Sequence, residues 1–101
     1  MAHMKHSIAA DFVGVEDTLD KAGLTITDLA ALTPFSRSTL YNWRTGLKSP
    51  STFYKATFNG YIDLIDKAIA NNRLPLTSIL RGKERIATLR AVLREVKRLK
   101  D

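Results

Sequence analysis

Hydrophobic positions in the first quarter of the chain follow a helical period. Between residues 8 and 22 apolar side chains recur at intervals of three and four, which places them on one side of a helix of about four turns. Ser7 and Gly23 flank this run as an N-cap and a left-handed C-cap, so the pattern predicts a helix that ends at residue 22. The apolar positions are Ile8, Phe12, Val15, Leu19 and Ala22.

A second, shorter helix is predicted after this one. Thr25-Ile26-Thr27-Asp28 has the form of a capping box, in which the side chains of Thr25 and Asp28 each accept a hydrogen bond from the other's backbone amide. Pro34 ends the segment about two turns later, because the residue before a proline is pushed away from helical angles.

A third helix has two distinct sides. Ser36 supplies its N-cap, Gly46 marks its end, and Leu40 and Trp43, three residues apart, form its apolar side. The other side carries polar and basic side chains. These are Arg37, Ser38, Tyr41 and Asn42.

The second half of the chain predicts two more helices. One runs from about residue 51 to residue 71, residues 76–82 can add a single turn, and residues 83–100 are strongly helical. No segment has the alternating pattern of a strand, so we expect an all-α fold, a compact helix-turn-helix bundle of four to five helices with a basic amphipathic helix at its C-terminus. Apolar residues available for the buried side of helix 51–71 include Phe53, Ala56, Tyr61, Leu64 and Ala68.

Length and composition limit the class of protein. The 101 residues suit one domain, 45% of them are hydrophobic, and there are no cysteines. Met1-Ala2-His3-Met4 has the form of a cloning remnant. We expect residues 5–74 to form a helix-turn-helix domain and residues 75–101 a helical extension. No apolar run approaches the roughly 18 residues of a membrane span, so we expect a cytoplasmic protein that does not bind a membrane.

Charge is distributed unevenly along the chain. The whole sequence has 16 basic and 10 acidic residues, a net charge of +6, which favours an anionic partner such as nucleic acid. Residues 1–34 are acidic, whereas residues 35–60 contain Arg37, Arg44, Lys48 and Lys55 without one acidic residue. A second basic zone spans residues 73–101.

The region from residue 26 to residue 45 resembles the helix-turn-helix unit of the phage-repressor-like family, which includes Cro and lambda repressor. Ala30 matches the small residue at which the two helices cross, and Leu40 and Trp43 match the apolar anchors of the recognition helix. The run Trp43-Arg44-Thr45-Gly46-Leu47-Lys48-Ser49-Pro50 also resembles the family's "W-R-x-G-x-x-x-P" sequence. The similarity extends over about residues 8–70, with one departure at the turn, where Pro34 replaces the usual glycine.

The resemblance implies a double-stranded DNA partner and assigns roles to individual residues. It places five side chains against base edges in the major groove: Arg37, Ser38, Tyr41, Asn42 and Thr45. Arginine suits guanine, asparagine suits adenine and serine suits either base, which fits this assignment. Four further residues resemble the positions that hold phosphates: Thr27, Arg44, Lys48 and Ser49.

The C-terminal helix carries a regular apolar stripe. Its members are Ile86, Leu89, Leu93 and Val96. Their spacing matches heptad positions a and d, and we predict homodimerisation through them, because one recognition helix covers few bases and the family commonly binds twofold sites as dimers. The alternative is a helix that folds back on its own domain. The opposite face holds Arg90, Arg94, Lys97 and Arg98, which suit solvent, phosphates or an acidic protein partner.

Other chemistry finds little support in the sequence. His3 and His6 lack a third metal ligand nearby, and no nucleophile-and-base arrangement or phosphate-binding glycine loop is present, so we expect neither metal, cofactor nor enzyme activity. The expected function is that of a sequence-specific transcription regulator, more specifically a repressor. The alternatives are an adaptor or antitoxin-like protein that binds a protein partner, and an accessory factor in recombination or transposition.

Overall fold

The computed structural model describes residues 12–99, and within this range the chain is entirely helical apart from turns and connections. The five helices are α1 (Val13–Ala22), α2 (Ile26–Leu32), α3 (Arg37–Thr45), α4 (Thr52–Ala70) and α5 (Gly82–Arg98). The predicted all-α bundle is thus confirmed. The expected helix start at Ile8, its cap Ser7, the histidines and residues 1–4 lie outside the described range.

The predicted helix ends are found where local side-chain chemistry defines them. The α1 helix ends at Gly23, whose φ of 69° is the left-handed conformation that glycine adopts without strain. Both hydrogen bonds of the capping box are present at the start of α2, between Thr25 and Asp28. The hydroxyl of Ser51 caps α4 by accepting a hydrogen bond from the amide of Tyr54.

One hydrophobic core draws on all five helices. Its fully buried side chains include Leu29 of α2, Leu40 of α3, Ile65 of α4 and Val96 of α5, and α1 packs along α4. The expected boundary at residues 74 and 75 therefore does not separate two cores. The C-terminal helix completes the same core that the first four helices build.

The buried face of α4 differs from the predicted one. Its buried residues are Phe58, Ile62, Ile65 and Ala68, whereas Phe53 and Ala56 face solvent. The prediction was wrong at these two positions because α4 has apolar residues on two faces, and spacing alone does not tell which face the rest of the chain covers.

The α5 helix folds back against α2 and α4. Leu89, Leu93 and Val96 are buried in the core of their own chain, and Ile86 packs against that core. The assignment of these four residues to a dimer interface is therefore corrected, and the alternative of a folded-back helix describes the chain. A heptad-like stripe buries equally well against the same domain, so its spacing did not distinguish the two arrangements.

The connection between α4 and α5 contains no helical turn. Residues 76–81 are extended or bent, which corrects the turn of helix expected at 76–82. Leu74 is buried and Leu76 packs against the core, whereas Ile79 is almost fully exposed. The segment is anchored at its beginning because the amides of Arg73 and Leu74 donate to the carbonyl of Ala68.

Candidate nucleic-acid interface

The turn between α2 and α3 is organised by a threonine rather than by a glycine. The hydroxyl of Thr33 donates a hydrogen bond to the carbonyl of Leu29 and accepts one from the amide of Phe35. Thr33 itself is extended, as the residue before a proline should be. Pro34 therefore fits a turn in which Thr33 supplies the hydrogen bonds that hold α2 and α3 together.

Capping and aromatic packing fix the position of α3. Ser36 accepts a hydrogen bond from the amide of Thr39 at the start of the helix, and Gly46 ends it with a φ of 82°. On its inner side Leu40 is fully buried, and the ring of Trp43 meets Phe35 edge-on, with the ring centroids 4.8 Å apart. The predicted anchors Leu40 and Trp43 are thus confirmed as core residues.

The outer side of α3 carries most of the predicted base-reading residues. Arg37, Ser38, Tyr41 and Thr45 are exposed, and Asn42 is half-buried. Ile26 of α2 and three of these residues, together with Arg44, line a shallow groove of about 380 Å³. The fold therefore presents a polar and basic helix surface beside the N-terminus of α2, which is the shape that a major groove can accept.

Thr45 is engaged within its own helix. Its hydroxyl donates a hydrogen bond of 3.0 Å to the carbonyl of Tyr41, so it can present only its oxygen as an acceptor to a ligand. The carbonyl of Asn42 accepts the amide of Lys48, which ties the following loop to the end of α3. The side chain of Asn42 keeps its donors and acceptor for other contacts.

The predicted phosphate-binding residues fall into two groups. Thr27 is exposed in the first turn of α2, and Lys48 and Ser49 are exposed in the loop after α3. Lys48 and Ser49 also line a pocket of about 200 Å³ that borders Trp43. These residues lie at the N-terminal end of α2 and beyond the C-terminal end of α3, and can contact an anion without facing base edges.

Arg44 stands apart from the other phosphate candidates. Its Nε forms an ion pair with the carboxylate of Glu16 in α1, and the arginine is half-buried. The charge of Arg44 is therefore partly offset by Glu16. Glu16 belongs to the acidic region of residues 1–34, and nothing in the sequence indicates that α1 brings it to α3.

A second unforeseen pair lies at the N-terminus of α2. Nε and Nη2 of Arg85 donate to Oδ1 and Oδ2 of Asp28 at 3.1 and 2.8 Å, and Nη2 also donates to the carbonyl of Gly23. Burial on its own raises the pKa of the Asp28 carboxyl, but hydrogen bonds from Arg85 and from the Thr25 amide outweigh it and lower the pKa below its ordinary value. The pairing keeps Asp28 charged and compensates that charge beside Thr27.

Comparison of the chain with protein-family models, with curated proteins and with solved structures finds no match. Within residues 12–99, none of the helices combines the length and the apolar character that crossing a membrane requires. The same part of the chain groups no three histidine, cysteine or carboxylate side chains that could hold a metal ion.

Proposed function

We propose that the chain is a sequence-specific double-stranded DNA-binding transcription regulator, acting as a repressor, that places α3 in the major groove. The observation that carries the proposal is the two-sided character of α3. Its inner side is anchored in the core by Leu40 and Trp43, while its outer side exposes hydrogen-bonding groups.

The chemistry of the outer side suits base readout. The guanidinium of Arg37 can donate two hydrogen bonds to guanine, and the amide of Asn42 can pair with adenine in the same manner. Ser38 and Tyr41 each offer a hydroxyl, and Tyr41 is 55% exposed. Electrostatics support the same face, because residues 35–60 contain basic residues and no acidic ones.

Phosphate contacts would complete the interface. Thr27, at the start of α2, and Lys48 with Ser49, after α3, would hold the two flanks of the recognition helix against the backbone. In this proposal Arg44 contributes less than Lys48, because Glu16 already binds it. Two copies of the chain would bind two half-sites through a surface other than the buried stripe of α5.

Selection from random duplexes, followed by binding measurements across a salt series, tests this function. We expect an enriched twofold-symmetric motif whose half-site centres lie about one helical turn apart. The affinity for that motif should fall less steeply with salt than affinity for scrambled duplexes, because base contacts add to charge. Enrichment of no motif, together with a steep loss of all binding at high salt, would contradict base readout.

A second candidate function is suggested by the outer surface of α5. Lys83, Arg94, Lys97 and Arg98 are exposed there, and such a surface can dock an acidic protein, as an adaptor or antitoxin-like protein would. Deleting α5 cannot test this, because Leu89 and Val96 belong to the core. The charge reversals Arg94→Glu and Arg98→Glu leave the core intact, and unchanged capture of acidic proteins by this variant would count against the adaptor.

A further inference from the structure

The α4 helix carries a second stripe of uncharged residues that the rest of the chain covers only in part. It consists of Phe53, Thr57, Gly60 and Leu64, spaced four, three and four residues apart, which places them along one side of the helix. Phe53 is 73% exposed and its neighbour Tyr54 50%, whereas Thr57 and Leu64 are half-buried and Leu64 also contacts the core. Two aromatic residues so exposed at the start of one helix are unusual for a surface that faces only water.

The stripe forms one continuous groove with its surroundings. A depression of about 540 Å³ is lined by Phe53, Tyr54 and Thr57 of α4 and by the turn before α3. A second depression, of about 380 Å³, continues past Thr57 to Gly60, Leu64 and Lys97 of α5. Thr57 lines both, so an extended shape, such as another helix, can lie along this side of the molecule.

Gly60 stands in the middle of the stripe. A glycine inside a helix lowers helix stability, and nothing in the fold requires one here, since no atom lies within 4 Å of the place where a Cβ would stand. Its missing side chain does, however, allow another backbone to approach α4 closely. Close packing of another helix against α4 would therefore give Gly60 a structural role.

We propose that the stripe is the site at which a second copy of this chain packs, α4 against α4, around a twofold axis that runs along the helices. This interface would supply the dimer that binding to two half-sites requires. Only this role in DNA binding rests on the proposed function. The interface replaces the one first expected on α5.

Charge favours a copy of the same chain over an anionic partner. The stripe itself bears no charge, whereas a surface for nucleic acid or an acidic protein would present cations at its centre. Asp63 and Tyr61 flank the stripe on opposite sides of α4. Lys97 of α5 borders the stripe on the side of Tyr61. The twofold axis then sets Asp63 of each copy against the partner subunit's Lys97.

The available area suits a reversible dimer. The stripe from Phe53 to Leu64 is about 16 Å long at 1.5 Å per residue. An aromatic side chain typically buries about 150–250 Å² of surface. The exposed fractions of Phe53 and Tyr54 therefore offer about 200–300 Å² per subunit. With the groove walls, two subunits would bury on the order of 1,000 Å², the lower limit for a specific interface, so we expect a weak and reversible dimer.

Sedimentation equilibrium of the whole chain without DNA, from about 1 μM to about 1 mM, tests the proposal. The wild type should dimerise, and Phe53→Ser and Gly60→Gln should each weaken dimerisation about tenfold or more. Gly60→Gln should at the same time raise the thermal unfolding midpoint, since glutamine favours a helix and the site is open. Ile79→Ser, which removes an exposed apolar side chain elsewhere, should leave dimerisation unchanged.

A charge exchange tests the orientation of the two subunits. Asp63→Lys and Lys97→Glu should each weaken the dimer, and the double variant should recover wild-type dimerisation to within about twofold. The proposal would be overturned by a wild type that stays monomeric over the whole concentration range. A dimer whose dissociation is unchanged by Phe53→Ser and Gly60→Gln would overturn it as well. Because no DNA is present, loss of duplex binding by a dimeric protein would count against the proposed function alone.

Discussion

Arg85 of α5 binds the carboxylate of Asp28 through both Nε and Nη2, although 57 residues separate the two along the chain. Asp28 is buried and belongs to the capping box of α2, and Arg85 also donates a hydrogen bond to the carbonyl of Gly23 at the end of α1. The C-terminal helix is thereby fastened to the beginning of the α2–α3 unit. Arg85 thus links α5 to the helix that precedes the candidate recognition helix.

Removal of the guanidinium should destabilise the fold. Arg85→Ala leaves the buried carboxylate of Asp28 without its main partner, which we expect to lower the free energy of unfolding by about 1–3 kcal/mol. Urea denaturation measures this. Arg94→Ala, at an exposed position of the same helix, is the matched control and should change stability by about 0.5 kcal/mol or less. Equal effects of the two variants would show that the pair contributes nothing.

The same pair predicts how stability depends on pH. Because the pKa of Asp28 is lower in the folded chain than in the unfolded one, its contribution is fully present above the unfolded pKa, about 3.9. It is lost as the pH falls below that value and through the folded pKa. The difference in unfolding free energy between the wild type and Asp28→Asn should therefore shrink on acidification. A difference that stays constant from pH 7 to well below 4 would contradict this linkage.

Base readers and phosphate binders should respond differently to substitution. Arg37→Ala or Asn42→Ala should cost roughly 1–3 kcal/mol of binding free energy on the selected duplex and relax its base preference. Lys48→Ala should weaken the selected and scrambled duplexes alike and reduce the salt slope by about one. Fluorescence anisotropy on both duplexes separates the two patterns. Equal losses on both duplexes for Arg37→Ala and Asn42→Ala would refute their assignment as base readers.

Glu16 should restrain DNA binding. It pairs with Arg44 beside α3, so Glu16→Gln removes a negative charge and releases a cation. We expect a few-fold higher affinity for every duplex at low salt, with the gain fading as salt screens the charge. Asp17→Asn, which removes an equal charge from an exposed residue of the same helix that pairs with Lys21, serves as the control. A lower affinity of Glu16→Gln would mean that the ion pair is needed to position Arg44.

Local signals in the sequence predicted the helices well. The capping box of α2, the Ser36 cap of α3 and the left-handed Gly23 and Gly46 depend on neighbours a few residues away, and all are present in the structure. The apolar side of α3 followed from the spacing of Leu40 and Trp43 for the same reason. The residues of the candidate interface on α3 were therefore correctly placed on its outer side.

Contacts between segments that are distant in the chain could not be predicted from the sequence. Spacing did not show which of two apolar faces of α4 is buried, nor that α5 turns its stripe into its own core rather than toward a partner. Neither Glu16 with Arg44 nor Asp28 with Arg85 has a local signature, because each pair forms only when separate helices pack. The charge of the interface therefore depends on tertiary contacts that a single sequence does not reveal.

The central claim is that α3 enters the major groove, and backbone amide chemical-shift mapping on the selected duplex tests it most directly. We predict the largest shift changes in residues 37–45, with smaller changes around Thr27 and in the loop of Lys48 and Ser49. Changes confined to α5, with residues 37–45 unaffected, would contradict the account and assign DNA binding to the basic surface of the C-terminal helix.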